Sequence, residues 1–349
     1  MYESFYGFRA RPFDLTTDLA FLVLTGPHRE ALDSLHHAIA TAKPVTLLLG
    51  EAGTGKTTII RAAIERQRDR AHCVCLQNPA LTRVELVQMI AAKFELSSRA
   101  QRSKTDLLLE LEALLARRIE TQERTVLVVD EAQNLSAELL EELRLLTNIE
   151  IGQQKPLALV LAGQPELAKR LNEPAWQHLK QRIALRCELR PLTLHESALY
   201  VAGRIAAAGG NPAKLFTRDA VTLLYRYSGG IARIINVIAD NALLGAYAAG
   251  LPTVTSHIVV EVCKDLDWIV AEVPEGATTP ESIPRSSGAL SAAEKHVLDS
   301  VPLPALPLQA RHSGQVKTPG GTETERERVT KEPLATAPAR LFGALGAQK

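Results

Sequence analysis

An excess of charge of one sign is missing from this sequence. Its 349 residues carry 40 Lys and Arg against 39 Asp and Glu, a net charge of +1. No global field therefore draws the chain to nucleic acid or to an anionic membrane, and only a local basic patch could do so. Cysteine is scarce as well. Cys73, Cys75, Cys187 and Cys263 stand in apolar runs without metal-ligand spacing, which argues against a disulfide scaffold or a cysteine metal site and predicts buried, reduced thiols. No stretch approaches the roughly 18 uninterrupted apolar residues of a membrane span, and the N-terminus lacks a charged-then-apolar signal pattern. Together these absences predict a cytoplasmic chain, neither exported nor membrane-spanning. Aromatics make up only 4% of the residues, yet Tyr2, Phe5, Tyr6, Phe8, Phe13 and Phe21 crowd into the first segment. An exposed arm would not hold so many, so this segment is expected to dock on the body of the domain, as plain packing or beside a bound base.

What is present suits an ordinary globular protein of about two domains, with 46% hydrophobic and 23% charged residues. The most informative stretch is Gly50-Glu51-Ala52-Gly53-Thr54-Gly55-Lys56-Thr57-Thr58. An apolar run, Val45 to Leu49, reads as a buried strand before it, and Thr57 onward reads as a helix. Between them lies Gly-x-x-x-x-Gly-Lys-Thr, the phosphate-cradling P-loop. Its glycines let successive backbone N–H groups turn toward a triphosphate at a helix N-terminus. Lys56 then reaches the β- and γ-phosphates, and the Thr57 hydroxyl ligates Mg²⁺. A dinucleotide fingerprint fits less well, because Gly53-x-Gly55 is not followed by a third glycine.

A second decisive segment is Thr125-Val-Leu-Val-Val-Asp130-Glu131. Four apolar residues in a row suit a central parallel strand covered on both faces, which leaves two carboxylates at its C-terminal edge, where open α/β sheets bind ligands. Asp130 is placed to hold Mg²⁺, directly or through water, and Glu131 to polarise the water that attacks the γ-phosphate. A further buried strand, Leu157 to Ala162, ends at Gly163-Gln164-Pro165. Gln164 is a candidate to orient that water or read the γ-phosphate, or else a turn-capping amide before Pro165. Arg182 stands just before a last strand through Leu185, Cys187 and Leu189, where its side chain could project into a neighbouring subunit.

From Pro191 the pattern becomes helical only, with a Thr193-x-x-Glu196 cap, and helices are expected over 216–227, 231–247 and 256–270. Arg233 falls in the first turn of the 231–247 helix, the wrong end for a cation on dipole grounds, and an approaching γ-phosphate would supply the missing negative charge. Beyond residue 271 lie nine of the nineteen prolines and a single aromatic, Phe342, a composition too poor in apolar surface to offset chain entropy. The expected organisation is an α/β nucleotide-binding domain over 1–190, a helical lid over 191–270 and a disordered, Pro-rich tail over 271–349. Within the tail, residues 301–308 read as linker or as an extended docking peptide.

These parts together resemble an AAA+ ATPase, with Gly50–Thr58 as Walker A, Asp130-Glu131 as Walker B, Gln164 as sensor 1, Arg182 as arginine finger and Arg233 as sensor 2. More narrowly, Tyr2-Glu-Ser-Phe-Tyr-Gly-Phe8, Pro12-Phe13, His28-x-Glu30-Ala31-Leu32, Asp130-Glu-Ala-Gln133, Leu161-Ala-Gly-Gln-Pro-Glu-Leu167 and Gln181-Arg182-Ile183 resemble the ExeA-type ATPases of the general secretion pathway. The resemblance covers roughly residues 1–268. It implies a P-loop NTPase sheet with helices on both faces, ATP and Mg²⁺ as ligands, and a homo-oligomer whose sites lie between subunits. ATP over GTP rests on it alone. Members of that family continue into a membrane span and a peptidoglycan-binding region, and no counterpart of either follows here, so a cell-wall role is not expected. The implied function is ATP hydrolysis that assembles or remodels a secretion or surface-structure complex. The rival is a transposition helper resembling TniB and TnsC that assembles on DNA and hydrolyses slowly. Its sequence basis is the Arg99–Lys104 loop with Arg61, Arg66, Arg68 and Arg70, residues that serve equally as a solvated face.

Overall fold

The computed structural model describes residues 1–77 and 80–268; the Pro-rich tail and the 301–308 segment lie outside the described residues. In chain order the helices are α1 Tyr2–Tyr6, α2 Gly26–Ala40, α3 Lys56–Arg66, α4 Arg83–Lys93, α5 Lys104–Glu120, α6 Ala137–Leu146, α7 Pro165–Leu171 and α8 Gln177–Lys180. They continue with α9 Leu194–Ala207, α10 Pro212–Leu215, α11 Arg218–Ser228, α12 Ala232–Ala248 and α13 Ser256–Asp265. The strands are β1 Val45–Gly50, β2 Ala71–Leu76, β3 Arg124–Val129, β4 Leu157–Gly163 and β5 Ile183–Leu189.

The strands form one sheet in the order β2-β3-β4-β1-β5, with every pair parallel. The near-continuous apolar runs follow from this, since every residue of β1 and β4 is buried and must satisfy a layer on one side or the other. Alternate residues divide between the layers. Leu47, Leu49, Leu127, Val129, Leu159 and Leu161 pack with helices α4 to α7, whereas Leu48, Val126, Val128, Val160 and Ala162 face α2 and α3. The expected α/β sheet with helices on both faces is therefore what folds. Register also sets the height of the strand ends. Leu47 pairs with Leu161 and Leu49 with Gly163, while Val129 pairs with Leu161, so Asp130 and Glu131 emerge level with Leu48 and Leu49, the last residues before the P-loop.

Helix starts follow the chemistry of their caps. Thr82 and Thr193 form reciprocal capping boxes with Glu85 and Glu196, and Ser103 accepts from the Asp106 N–H, each satisfying N–H groups that the helix leaves unpaired. Helices α9 to α13 share a separate core. Its members include Tyr2, Phe8 and Phe13, so the aromatic N-terminus packs into the helical portion. Leu19, Leu22 and Leu24 lie instead against the α2–α3 side of the sheet. Arg204 on α9 fixes the segment between. Only 6% exposed, it donates to the carbonyls of Pro12 at 2.6 Å, Asp14 at 2.8 Å and Phe21 at 3.4 Å. The entry to the helical portion is pinned to its middle: the Leu192 N–H donates to the Gly230 carbonyl at 2.9 Å. Gly230 sits at φ 79°, and a Cβ there would run into the Leu192 carbonyl, so this joint admits only glycine.

Candidate functional site

The P-loop leaves β1 at Gly50 and enters α3 at Lys56. Gly53 and Gly55 take φ of 83° and 101°, conformations that L side chains resist. Gly55 caps α3 without a side-chain bond, so the first N–H groups of the helix point into the loop, the arrangement that receives an anion. Lys56 is buried, and its Nζ donates to the carbonyls of Gly50 at 2.8 Å and Glu51 at 3.0 Å. Burial lowers its pKa, against the opposing pull of Glu131 and Asp130. Across the loop, Thr57 Oγ1 donates to Asp130 Oδ2 at 2.6 Å, and Asp130 Oδ1 accepts the Glu131 N–H at 2.9 Å. Asp130, 4% exposed, is thus held by both of its oxygens.

These groups open on a cavity of about 130 Å³ that Lys56, Thr57, Glu131 and Arg233 line together. Its other walls come from Leu15 to Asp18 and from Phe21 to Val23. The N-terminal segment that the aromatics signal packs through Tyr2, Phe8 and Phe13, and its later residues wall the cavity. Arg233 reaches the cavity from the first turn of α12, and its backbone N–H donates to the Gly53 carbonyl at 3.0 Å. A Cβ on Gly53 would stand 2.8 Å from Arg233 Cβ, so the fourth loop position is glycine for the helical portion's sake as well as for its φ.

Other candidates sit elsewhere. Gln164 ends β4, beside both β1 and β3, and begins α7; its side chain makes no capping bond, while its N–H donates to Gln133 Oε1 at 3.1 Å. Arg182 stands at the start of β5, where Ile183 pairs with Val45, which is the opposite edge of the sheet from the P-loop of its own chain. It donates to Thr147 Oγ1 at 3.1 Å. The structure thus brings together Lys56, Thr57, Asp130, Glu131 and Arg233, and leaves Arg182 apart. The basic residues considered for DNA are partly engaged: Arg66 pairs with Asp33 at 3.3 Å, Arg68 with Glu65 at 3.6 Å and Lys104 with Glu142 at 2.6 Å.

One site residue drew attention in the sequence only as part of a motif. His28, at the start of α2, is 5% exposed; its Nδ1 lies 2.7 Å from Thr25 Oγ1 and its Nε2 3.0 Å from the Thr54 carbonyl. A carbonyl only accepts, so Nε2 carries the proton and donates. Burial lowers the pKa of this imidazole, opposed by the Thr54 carbonyl. A neutral histidine thereby braces the P-loop from behind. Nothing in a single sequence signals that contact, which spans 26 residues.

Among the described residues no helix is long and apolar enough to cross a membrane, and no group of three or more His, Cys, Asp or Glu is placed to hold a metal. Residues 39–171 match a family described as an AAA domain. Over 262 residues the chain is 38% identical to general secretion pathway protein A of Aeromonas hydrophila, a match covering 74% of this chain and 46% of that protein. It thus spans about half of that relative's length. Similar solved structures include the ORC2 protein of Aeropyrum pernix in its ADPNP–ADP complexes, with a TM-score of 0.57 at 17% identity over 74% of this chain and 72% of that one. Cdc6p from Pyrobaculum aerophilum gives a TM-score of 0.56 at 20% identity over 71% and 70%. Drosophila ORC bound to DNA gives 0.54 at 19% identity over 73% and 64%. At such identities the likeness shows the fold alone, that of an AAA+ P-loop domain.

Proposed function

We propose, from the premise that this chain is an AAA+ P-loop ATPase related to general secretion pathway protein A, that it hydrolyses Mg²⁺-ATP between copies of itself to assemble or remodel a secretion or surface-structure complex. The observation that carries the reading is the 2.6 Å contact of Thr57 with Asp130 on a cavity shared with Lys56, Glu131 and Arg233. Two hard oxygen groups so close beside a phosphate-binding loop fit Mg²⁺, held by Thr57 and by Asp130 directly or through water. Held by Thr57 and Asp130, the ion would supply positive charge against the phosphates. Gly50 to Thr58 bind the phosphates, with Lys56 turning from the loop carbonyls to the β- and γ-oxygens. Glu131 takes the proton of the attacking water. Gln164 orients that water, and Arg233 neutralises the γ-phosphate from the helical portion. Arg182, remote from its own loop, serves the site of a neighbouring copy.

The test is the hydrolysis rate per subunit against protein concentration, with and without duplex DNA at low salt. A rate that climbs with concentration to a plateau and ignores DNA is expected. A rate independent of concentration overturns the shared site. Stimulation by DNA that fades steeply as salt rises puts the DNA-assembled helper ATPase first.

A further inference from the structure

Gln133, given no role in the reading above, joins two strand ends at the cavity. Its Nε2 donates to Glu131 Oε2 at 2.6 Å, and its Oε1 accepts from the Gln164 backbone N–H at 3.1 Å. Chemistry fixes the orientation of this amide. A backbone N–H only donates and so must meet the oxygen, which leaves the nitrogen to the carboxylate, an acceptor. Space for the bridge is made in β4: a Cβ on Gly163 would stand 2.9 Å from Gln133 Oε1 and 2.8 Å from Leu167 Cδ2. Glycine at the end of that strand is therefore the condition for the amide to lie across it.

Glu131 is restrained from its backbone side too. It adopts a left-handed conformation at φ 54°, costly for a non-glycine residue. Its N–H is taken by Asp130 Oδ1 at 2.9 Å, and its carbonyl accepts the Asn134 N–H at 3.0 Å. That turn carries Gln133 back over the strand ends. Without the amide, the carboxylate of a three-rotor side chain would swing freely at the cavity wall, and misplacement by about 1 Å can cost 10²-fold in rate.

We propose that Gln133 is a positioning residue that holds one carboxylate oxygen of Glu131 and ties it to the end of β4, leaving the other oxygen for the attacking water's proton. The inference rests on the base assignment of Glu131 made above. In this arrangement any shift of the Gln164 backbone is passed to Glu131 through a single side chain.

Two variants separate the two bonds. Gln133→Leu removes both with little change of volume, and Gln133→Glu keeps an acceptor for the Gln164 N–H while losing the donor to Glu131. Each is measured beside Glu131→Gln for single-turnover ATP hydrolysis at saturating protein, affinity for a fluorescent ATP analogue, and thermal unfolding. Both Gln133 variants are expected to slow hydrolysis about 10- to 100-fold with nucleotide affinity and melting temperature close to wild type. The double variant Glu131→Gln/Gln133→Leu is expected to be no slower than Glu131→Gln alone, as for residues acting as a unit. If Gln133→Leu hydrolyses like wild type while Glu131→Gln is inactive, the positioning role falls and the base assignment stands. Full hydrolysis by Glu131→Gln overturns both. Rescue by Gln133→Glu overturns the donor's part, and parallel loss of rate, affinity and melting temperature makes Gln133 a structural residue instead.

Discussion

In the α/β body the cavity groups are spaced by strand register: Val129 of β3 and Leu47 of β1 both pair with Leu161 of β4, which sets Asp130 level with the last residues of β1, and Thr57 meets it at 2.6 Å. In the helical portion the corresponding groups arrive by separate attachments. Arg233 is set by one backbone bond to Gly53, and Arg204 by three bonds to carbonyls of the N-terminal segment. The first arrangement is shared among many ladder bonds and buried side chains, so losing one side chain alters chemistry more than architecture. The second hangs on a few contacts, so losing one alters architecture first.

The sharpest way to break this contrast is Arg182→Ala, which removes a body residue that its own site does not touch. Turnover is expected to fall by about 10³–10⁵, the worth of an arginine supplied to a neighbouring site, while affinity for a fluorescent ATP analogue stays near wild type. Wild-type turnover would end the assignment and pass it to Arg186, four residues on in β5 and paired there with Glu188. A smaller effect, of the opposite kind, is expected from Arg204→Met. Losing these charge-assisted bonds should cost about 2–4 kcal/mol of stability, read by chemical denaturation, with nucleotide affinity falling as the cavity wall loosens. A variant as stable as wild type would show that the helical portion is not held in this way.

The smallest effect sharpens the contrast at the loop itself. Burial holds the His28 pKa below its ordinary value, so the unfolded chain takes up a proton at higher pH than the folded one. Stability from this group is complete above the unfolded pKa of about 6.5, begins to be lost below it, and is gone once pH has fallen through the lower folded pKa. Lowering pH from about 7.5 to 5.5 should therefore lower the melting temperature of wild type more than that of His28→Asn. Equal slopes would remove His28 from the account.

The parts legible in the sequence are those written in short spans. The P-loop spacing, the Asp130-Glu131 strand end and the capping box at Thr193 all complete themselves within a few residues, and the sheet follows from its apolar runs. Helix α6 is not among the helices expected from the sequence, although its Ser136 cap and the shared face of Leu139, Leu143 and Leu146 are local features. What stays hidden are contacts between distant segments: His28 on Thr54, Arg233 on Gly53, Arg204 on Pro12, and Tyr2 on Asp240. Periodicity cannot report such pairs, because each side chain is locally ordinary and becomes specific only once the chain has folded.

The joint between Leu192 and Gly230 has a mechanical consequence. It lies three residues before Arg233, the point where the helical portion grips the P-loop. Helix α12 then runs on for 17 residues, about 25 Å at 1.5 Å per residue. A tilt about that joint therefore has a short arm on the loop side and a long one toward Ala248. Displacements of a fraction of an ångström at the loop become several ångströms at the far end, a gear ratio set by where one glycine falls in the chain.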